Sequence, residues 1–315
     1  MIYLIIKNSM NTLIYIYLRT KLLLILCIIF NTTLDASSEF YGKINVSIAQ
    51  IDDGLNSETD TLNNASRVGF KSKLKLSDNL NFLIQIENEI DPTDGRADKD
   101  KVFKQRNTFI GISGNFGKLF VGTHDTAFKK AQLKIDLFND TQSDIKNIFH
   151  GENRMQDLVG YESPELFNGI QIVINNIKTS DKSYQSYSVN YNSDSLKASY
   201  SIDTGLKGYD SQRLSSTYTF NKTTLGALYQ DSKKTSTGNN ESGYVYSIKH
   251  KISKKGSFLF QEAKSDMKIV GGKQTSLGYN HQIRKELKVF TAYSQLLKDN
   301  SPDKDWITLG FEYKF

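Results

Sequence analysis

From Phe40 to the last residue, the chain alternates apolar and polar side chains with a period of two. In the stretch 41–51, Ile44, Val46 and Ile48 fall on one side, and Lys43, Asn45 and Ser47 on the other. The stretch 66–76 sets Val68, Phe70, Leu74 and Leu76 against Arg67, Lys71, Lys73 and Lys75. The next sets Leu80, Phe82, Ile84 and Ile86 against Asn81, Gln85 and Glu87. At the end of the chain Ile307, Leu309, Phe311, Tyr313 and Phe315 share one face. Such alternation makes β-strands with a single apolar face and cannot sit still as a helix.

The open question is where that face points, because the strands of a soluble sandwich alternate too. Connection lengths decide. Short turns are expected at 115–118, 192–195, 221–222, 253–256 and 283–286, and longer polar connections at 91–104, 204–211, 232–242, 266–272 and 298–304. One excursion, 124–153, is much longer than the others. Short connections on one side and long ones on the other describe a transmembrane antiparallel β-barrel. The all-β reading gives about 16 strands, an even number as single-chain bacterial barrels require, with fourteen and eighteen as alternatives. A closed barrel also satisfies every backbone group in lipid and leaves no strand edge.

The beginning of the chain reads differently. Lys7, Arg19 and Lys21 precede an apolar run, Leu22 to Phe30, followed by the small residues Ala36, Ser37 and Ser38. That order predicts a secretory signal peptide over residues 1–38 and a barrel domain over 39–315, with cleavage after Ala36 and a start at Met10 as alternatives. A retained membrane anchor is the competing reading, disfavoured by the shortness of the run. Cys27 lies within the run, so the exported part has no cysteine and no disulfide framework. No other run could form a membrane-spanning helix of about 20 residues. The 17 Tyr and 18 Phe exclude a disordered chain. Loss of three basic groups and Asp35 reduces the formal charge of +6 to +4. With no basic run or helix, that charge gives no reason to expect nucleic acid.

Particular segments resemble the general diffusion porins of Gram-negative bacteria, especially those of the neisserial and burkholderial type. FYGKINVSIAQID (40–52) is similar to the family's first strand and SRVGFKSKLKL (66–76) to its second. RNTFIGISGNFGKLFVGTHDTAFK (106–129) resembles the fourth and fifth strands with the entry to the third loop, and RMQDLVGYESPELFNG (154–169) the sixth strand and its turn. The terminal WITLGFEYKF is similar as well, whereas between about 178 and 304 only the strand pattern supports the likeness. The resemblance implies a sixteen-stranded homotrimeric barrel in the bacterial outer membrane, embedded in its lipid. The long third loop would fold inward and narrow a water-filled pore. It further implies a basic wall of Lys43, Arg67, Arg106 and Arg154 facing loop acids Asp136, Asp140 and Asp144, and Phe315 as the terminal aromatic used in membrane insertion. Asp136 and Asp140 would lie one helical turn apart, since Phe128, Ala131, Ile135 and Phe138 follow a helical stripe. The chain departs from the family at Thr123, Ala127, Asp157 and Gly160, where Arg, Pro, Asn and Arg are common; two fewer basic groups weaken an anion preference.

Independently of the resemblance, a Lys or Arg facing lipid at the bilayer midplane costs about 2–4 kcal/mol, so Lys43, Arg67 and Lys71 must face the lumen or lie near an interface. Lys73 and Lys75 read as ordinary solvated wall charges, and Arg106 has conflicting periodicity because Phe109 and Ile110 disagree about its face. His124 and His150 both border the long excursion, but no strand pairs a nucleophile with a histidine and no acidic cluster has the spacing of a calcium loop. The expectation is therefore no enzyme, no metal and no cofactor. The expected function is passive diffusion of small hydrophilic solutes and ions, with a surface adhesin or structural barrel as the alternative.

Overall fold

The computed structural model describes residues 36–98 and 101–315. The leader expected over 1–38 lies almost wholly outside the described residues. Eighteen hydrogen-bonded segments form one closed antiparallel sheet, and two of the strands are each broken into two arms. The strands are β1 (Ala36–Asp52), β2 (Ser57–Asn63 and Arg67–Ser77), β3 (Leu80–Glu89), β4 (Lys104–Gln105 and Thr108–Gly114) and β5 (Gly117–Asp125). After the long connection come β6 (Arg154–Glu162), β7 (Ile170–Lys178), β8 (Ser183–Asn192), β9 (Leu196–Leu206), β10 (Tyr209–Phe220) and β11 (Thr223–Lys234). The barrel ends with β12 (Asn240–Lys251), β13 (Gly256–Ser265), β14 (Gly272–Gln282), β15 (Leu287–Leu297) and β16 (Lys304–Lys314). Sixteen strands thus enclose the lumen.

Closure is made by β1. Its second half pairs with β16 from Lys43↔Lys314 to Asp52↔Asp305, while its other edge pairs with both arms of β2. Phe315 completes the seam, because its backbone N–H and C=O both bond to Gly42. The terminal aromatic therefore sits on the join between first and last strands.

The alternation separates lipid from lumen as the pattern requires. In β8, Tyr187, Val189 and Tyr191 are exposed on the outside, and Ser186 and Ser188 are buried within. In β10, Leu214 and Tyr218 face out, while Ser211, Arg213 and Ser215 face in. Serines recur on the inner face, at Ser199, Ser201, Ser247 and Ser276 among others, and their small size leaves room inside the wall.

Residues 126–153 occupy part of that room. Ile135, Ile145, Ile148 and Phe149 of this connection are fully buried against Ala49, Ile51, Leu228, Val245, Ala263 and Trp306 of the wall. Each such burial is worth about 1.5–3 kcal/mol. The main core thus lies between loop and wall. A second cluster, Phe109, Phe120, Leu158, Ile177 and Leu206, lines the wall elsewhere.

Two of the connections opposite the short turns are shorter than the sequence suggests, while those at 90–103, 266–271 and 298–303 have the expected lengths. Only Lys207 and Gly208 separate β9 from β10, and β11 and β12 continue to Lys234 and from Asn240. Strand ends that reach beyond the lipid band carry polar residues on both faces, so they read as loop although the ladder runs on through them.

Leu214, exposed in the middle of β10, tests the outward face. Leu214→Arg is expected to lower the unfolding free energy in lipid vesicles by about 2–4 kcal/mol, whereas Lys73→Gln on the inner face changes it little. Equal effects from the two substitutions would show that the faces are misassigned.

Candidate functional site

The long connection begins with a single helical turn, α1 (Ala127–Lys130), capped by Thr126, whose Oγ1 accepts from Lys129 N at 3.2 Å. The helix ends there, because Leu133 and Lys134 adopt φ values of 56° and 59°. The helical stripe from Phe128 to Phe138 is therefore broken, and Asp136 and Asp140 do not share a helical face. Two wall glycines receive the loop. A Cβ on Gly243 would lie 2.7 Å from the Phe149 ring, and one on Gly278 would lie 2.9 Å from that of Phe138.

Asp140 is the centre of the charge arrangement. Its Oδ2 lies 2.8 Å from Lys43 Nζ of β1 and 2.6 Å from an Arg67 guanidinium nitrogen of β2. Arg67 follows the break in β2, where Ala65 at φ 53° and the buried Asn64 and Ser66 turn the strand. Asn45 N–H donates to Ser66 Oγ at 2.9 Å and Asn64 Nδ2 donates to Ser47 Oγ at 3.0 Å, which fixes that turn against β1. Burial alone would raise the Asp140 carboxyl, but Lys43 and Arg67 outweigh it and hold the group well below the usual carboxylate range.

Asp136 and Asp144, grouped with Asp140 by the sequence reading, serve the loop itself. Asp136 is buried and accepts from Phe138 N, Ile145 N and Gln261 Nε2 at 3.0, 3.0 and 3.1 Å, which ties the loop to β13. Burial and the neighbouring Asp144 carboxylate raise its pKa well above the ordinary value. Asp144 accepts from Asp140 N at 2.9 Å and caps the 3-10 turn Ile145–Asn147 through Lys146 N at 2.8 Å. It braces the backbone of Asp140.

Arg106 and Arg154 face the lumen but pair with the wall. Arg106 stands in the break between the two arms of β4, which resets the alternation and explains its conflicting periodicity. It donates to Glu87 at 2.8 Å and to Glu89 at 2.9 Å. Arg154 donates to Asn107 Oδ1 at 2.8 Å and lies 3.1 Å from Asp125, which also holds Lys129 at 3.0 Å. Arg106, Arg154 and Asp125 line one cleft of 440 Å³ between loop and wall, together with Arg67, Lys104, Lys129 and Lys146 among the bases and Glu89, Asp140, Asp144 and Glu152 among the acids. Six basic and five acidic groups nearly cancel in sum, and most are paired: Arg106 with Glu89, Arg154 and Lys129 with Asp125, Arg67 with Asp140 and Lys146 with Asp144.

The group that sequence reading missed is Arg213, on β10. Its side chain is fully buried and pairs with Glu152 at 2.8 Å. It also donates to Gln230 Oε1 at 2.7 Å and to the carbonyls of Phe128 and His150 at 3.3 Å each, with its guanidinium 4.3 Å over the Phe128 ring. Both ends of the loop are thereby held by one cation. The available signal was its position in Ser211, Arg213, Ser215, a lone long cation in a stripe of serines. The two histidines sit apart in character: His124 packs with Phe109 and Phe120, and His150 stacks on Tyr209 at 3.9 Å. Among the described residues no group of three or more His, Cys, Asp or Glu is placed to hold a metal.

A family model described as Gram-negative porin matches residues 32–315. Major outer membrane protein P.IB of Neisseria sicca is 32% identical over 110 residues, which cover 34% of this chain and 30% of that protein. Major outer membrane protein P.IA of Neisseria meningitidis is 34% identical over 107 residues, 33% of this chain and 26% of that protein. The chain thus matches under a third of the length of these relatives. Among solved structures, the fold is shared with an anion-selective porin from Comamonas acidovorans, with a TM-score of 0.78, 20% identity, and coverage of 89% of this chain and 100% of that one. It is also shared with Salmonella typhi OmpF in complex with daunomycin, with a TM-score of 0.70, 16% identity, and coverage of 88% and 97%.

Glu152→Ala would leave Arg213 buried and unpaired, which costs about 3–5 kcal/mol. The expected result is a matching loss of unfolding stability together with faster proteolysis within 126–153. Unchanged proteolysis would mean that Arg213 does not hold the loop.

Proposed function

Because the chain belongs to the Gram-negative porin family, we propose that it forms a water-filled channel through which small hydrophilic solutes and ions diffuse passively. The observation that carries this reading is the inward loop, which narrows the lumen to a charged cleft without filling it. The protein resides in the bacterial outer membrane. Its family and fold are those of non-enzymatic channels, and no reaction is assigned to it. By analogy with the trimer form of Vibrio cholerae OmpT, whose fold it shares with a TM-score of 0.65 and 13% identity, the chain is proposed to assemble as a homotrimer. The leader over 1–38 is proposed to direct export and to be removed.

Within the cleft, Lys43, Arg67 and Asp140 are proposed to form the narrowest charged contact, with Arg106 and Arg154 extending the basic side. Asp136 and Asp144 brace the loop backbone around Asp140, and Asp144 also borders the cleft. Charges set in low-dielectric walls focus the field across the opening, so selectivity depends on their placement more than on their sum.

Purified protein in a planar bilayer is expected to give stepwise conductance, grouped in threes; absence of steps would overturn the channel reading. In a salt gradient, Arg67→Gln and Arg154→Gln should each move the reversal potential toward cation preference. No movement would remove that residue from the narrow passage. Asp140→Asn should move it the other way. Since Asp140 stays ionised to well below the ordinary carboxylate pKa of about 3.9, the difference between wild type and Asp140→Asn should hold from pH 7 to about pH 4 and close only below that range. A difference that closes at higher pH would contradict the Lys43–Asp140–Arg67 contact.

A further inference from the structure

A second cavity, of 400 Å³, lies between the end of the long loop, the β9–β10 turn and Lys268. Its volume is in the range of about 300–1,000 Å³ typical of small-molecule sites. Asp203 of β9 lines it and is 2% exposed, yet neither of its carboxylate oxygens has a hydrogen-bond partner. The side chains of Ser186 and Asn153 approach it as weak donors but do not reach close hydrogen-bond geometry. Arg213 also acts on this carboxylate through space, but its donors are engaged by Glu152, Gln230 and two backbone carbonyls. A buried carboxylate with empty acceptor sites is costly, and the cost is removed by a ligand that brings both positive charge and N–H donors. At the rim the charge is of the other sign: Lys146, Lys207 and Lys268 are exposed there. The stacked rings of His150 and Tyr209 supply an apolar side to the same cavity.

We propose that this cavity is a transit subsite for zwitterionic solutes of amino-acid or dipeptide size, which place the ammonium on Asp203 and the carboxylate among Lys146, Lys207 and Lys268. An anion alone would leave Asp203 unmatched, and a cation alone would leave the lysines unmatched. The subsite rests on the channel reading, since solute meets it while crossing the lumen.

The probe is glycylglycine, compared with glycinamide, which keeps only the ammonium, and N-acetylglycine, which keeps only the carboxylate. Its half-saturating concentration is read from block of the KCl current and, independently of conduction, by titration calorimetry on the detergent-solubilised protein. Asp203→Asn, which preserves shape, is expected to raise that concentration about tenfold, as loss of a charge-assisted hydrogen bond implies. The double variant Lys207→Gln, Lys268→Gln should also weaken binding, and both half-probes should bind more weakly than glycylglycine. Heat-modifiable mobility on gels checks that each variant retains the barrel. Equal binding of glycylglycine by wild type and Asp203→Asn would overturn the proposal, as would equal binding of either half-probe. Calorimetric binding with no conductance would instead overturn the channel reading and leave the subsite standing.

Discussion

The ladder between β1 and β16 is the interaction on which the rest depends. In a wall that faces lipid, an unpaired N–H or C=O has no water to turn to, so the sheet must close on itself or not span at all. Here the final residue takes part in the closure through both of its backbone groups, on Gly42. Once the sheet is closed, every strand has one face in lipid and one in the lumen, and the period-two pattern acquires a single meaning around the whole circumference. Composition follows from this. A hydrophobic content of 38% and a mean hydropathy of −0.45 would fit a soluble protein, but here half of each strand is simply spent on the interior.

A closed wall alone would be a hollow tube, and what gives this one a defined passage is the way the loop is bound inside it. Apolar side chains fasten one side of the loop to the wall, with Phe149 and Phe138 seated against glycines. Arg213 fastens its two ends. Those attachments leave the charged side of the loop facing β1 and β2, where Asp140 meets Lys43 and Arg67. The same backbone that positions Asp140 is braced by two other carboxylates, Asp136 and Asp144. Three acids close together in sequence thus have different surroundings: Asp140 meets two wall cations, whereas Asp136 and Asp144 accept backbone N–H groups of the loop.

Lys43 and Arg67 were legible because each lies on the polar face of a strand with an unbroken apolar opposite face. Arg106 was not, because the break in β4 shifts the face by a residue, and alternation carries no information across such a break. Asp136 looked like a channel-facing acid because a loop has no period to say which way a side chain points; its partners, Ile145 N and Gln261, come from nine and 125 residues away. Arg213 was passed over because the pattern shows that it faces inward but not that the loop comes to meet it.

The sequence by itself determined the strands, their two faces and their approximate number, since alternation is a local property and one face of every strand must be apolar in lipid. It also marked the long excursion, because no alternating pattern could account for residues 124–153. Only the tertiary structure decided where that excursion goes, which of its acids meets the basic wall and which cation anchors it. Those outcomes depend on contacts between residues far apart in the chain, made across a lumen whose shape exists only after the barrel has closed.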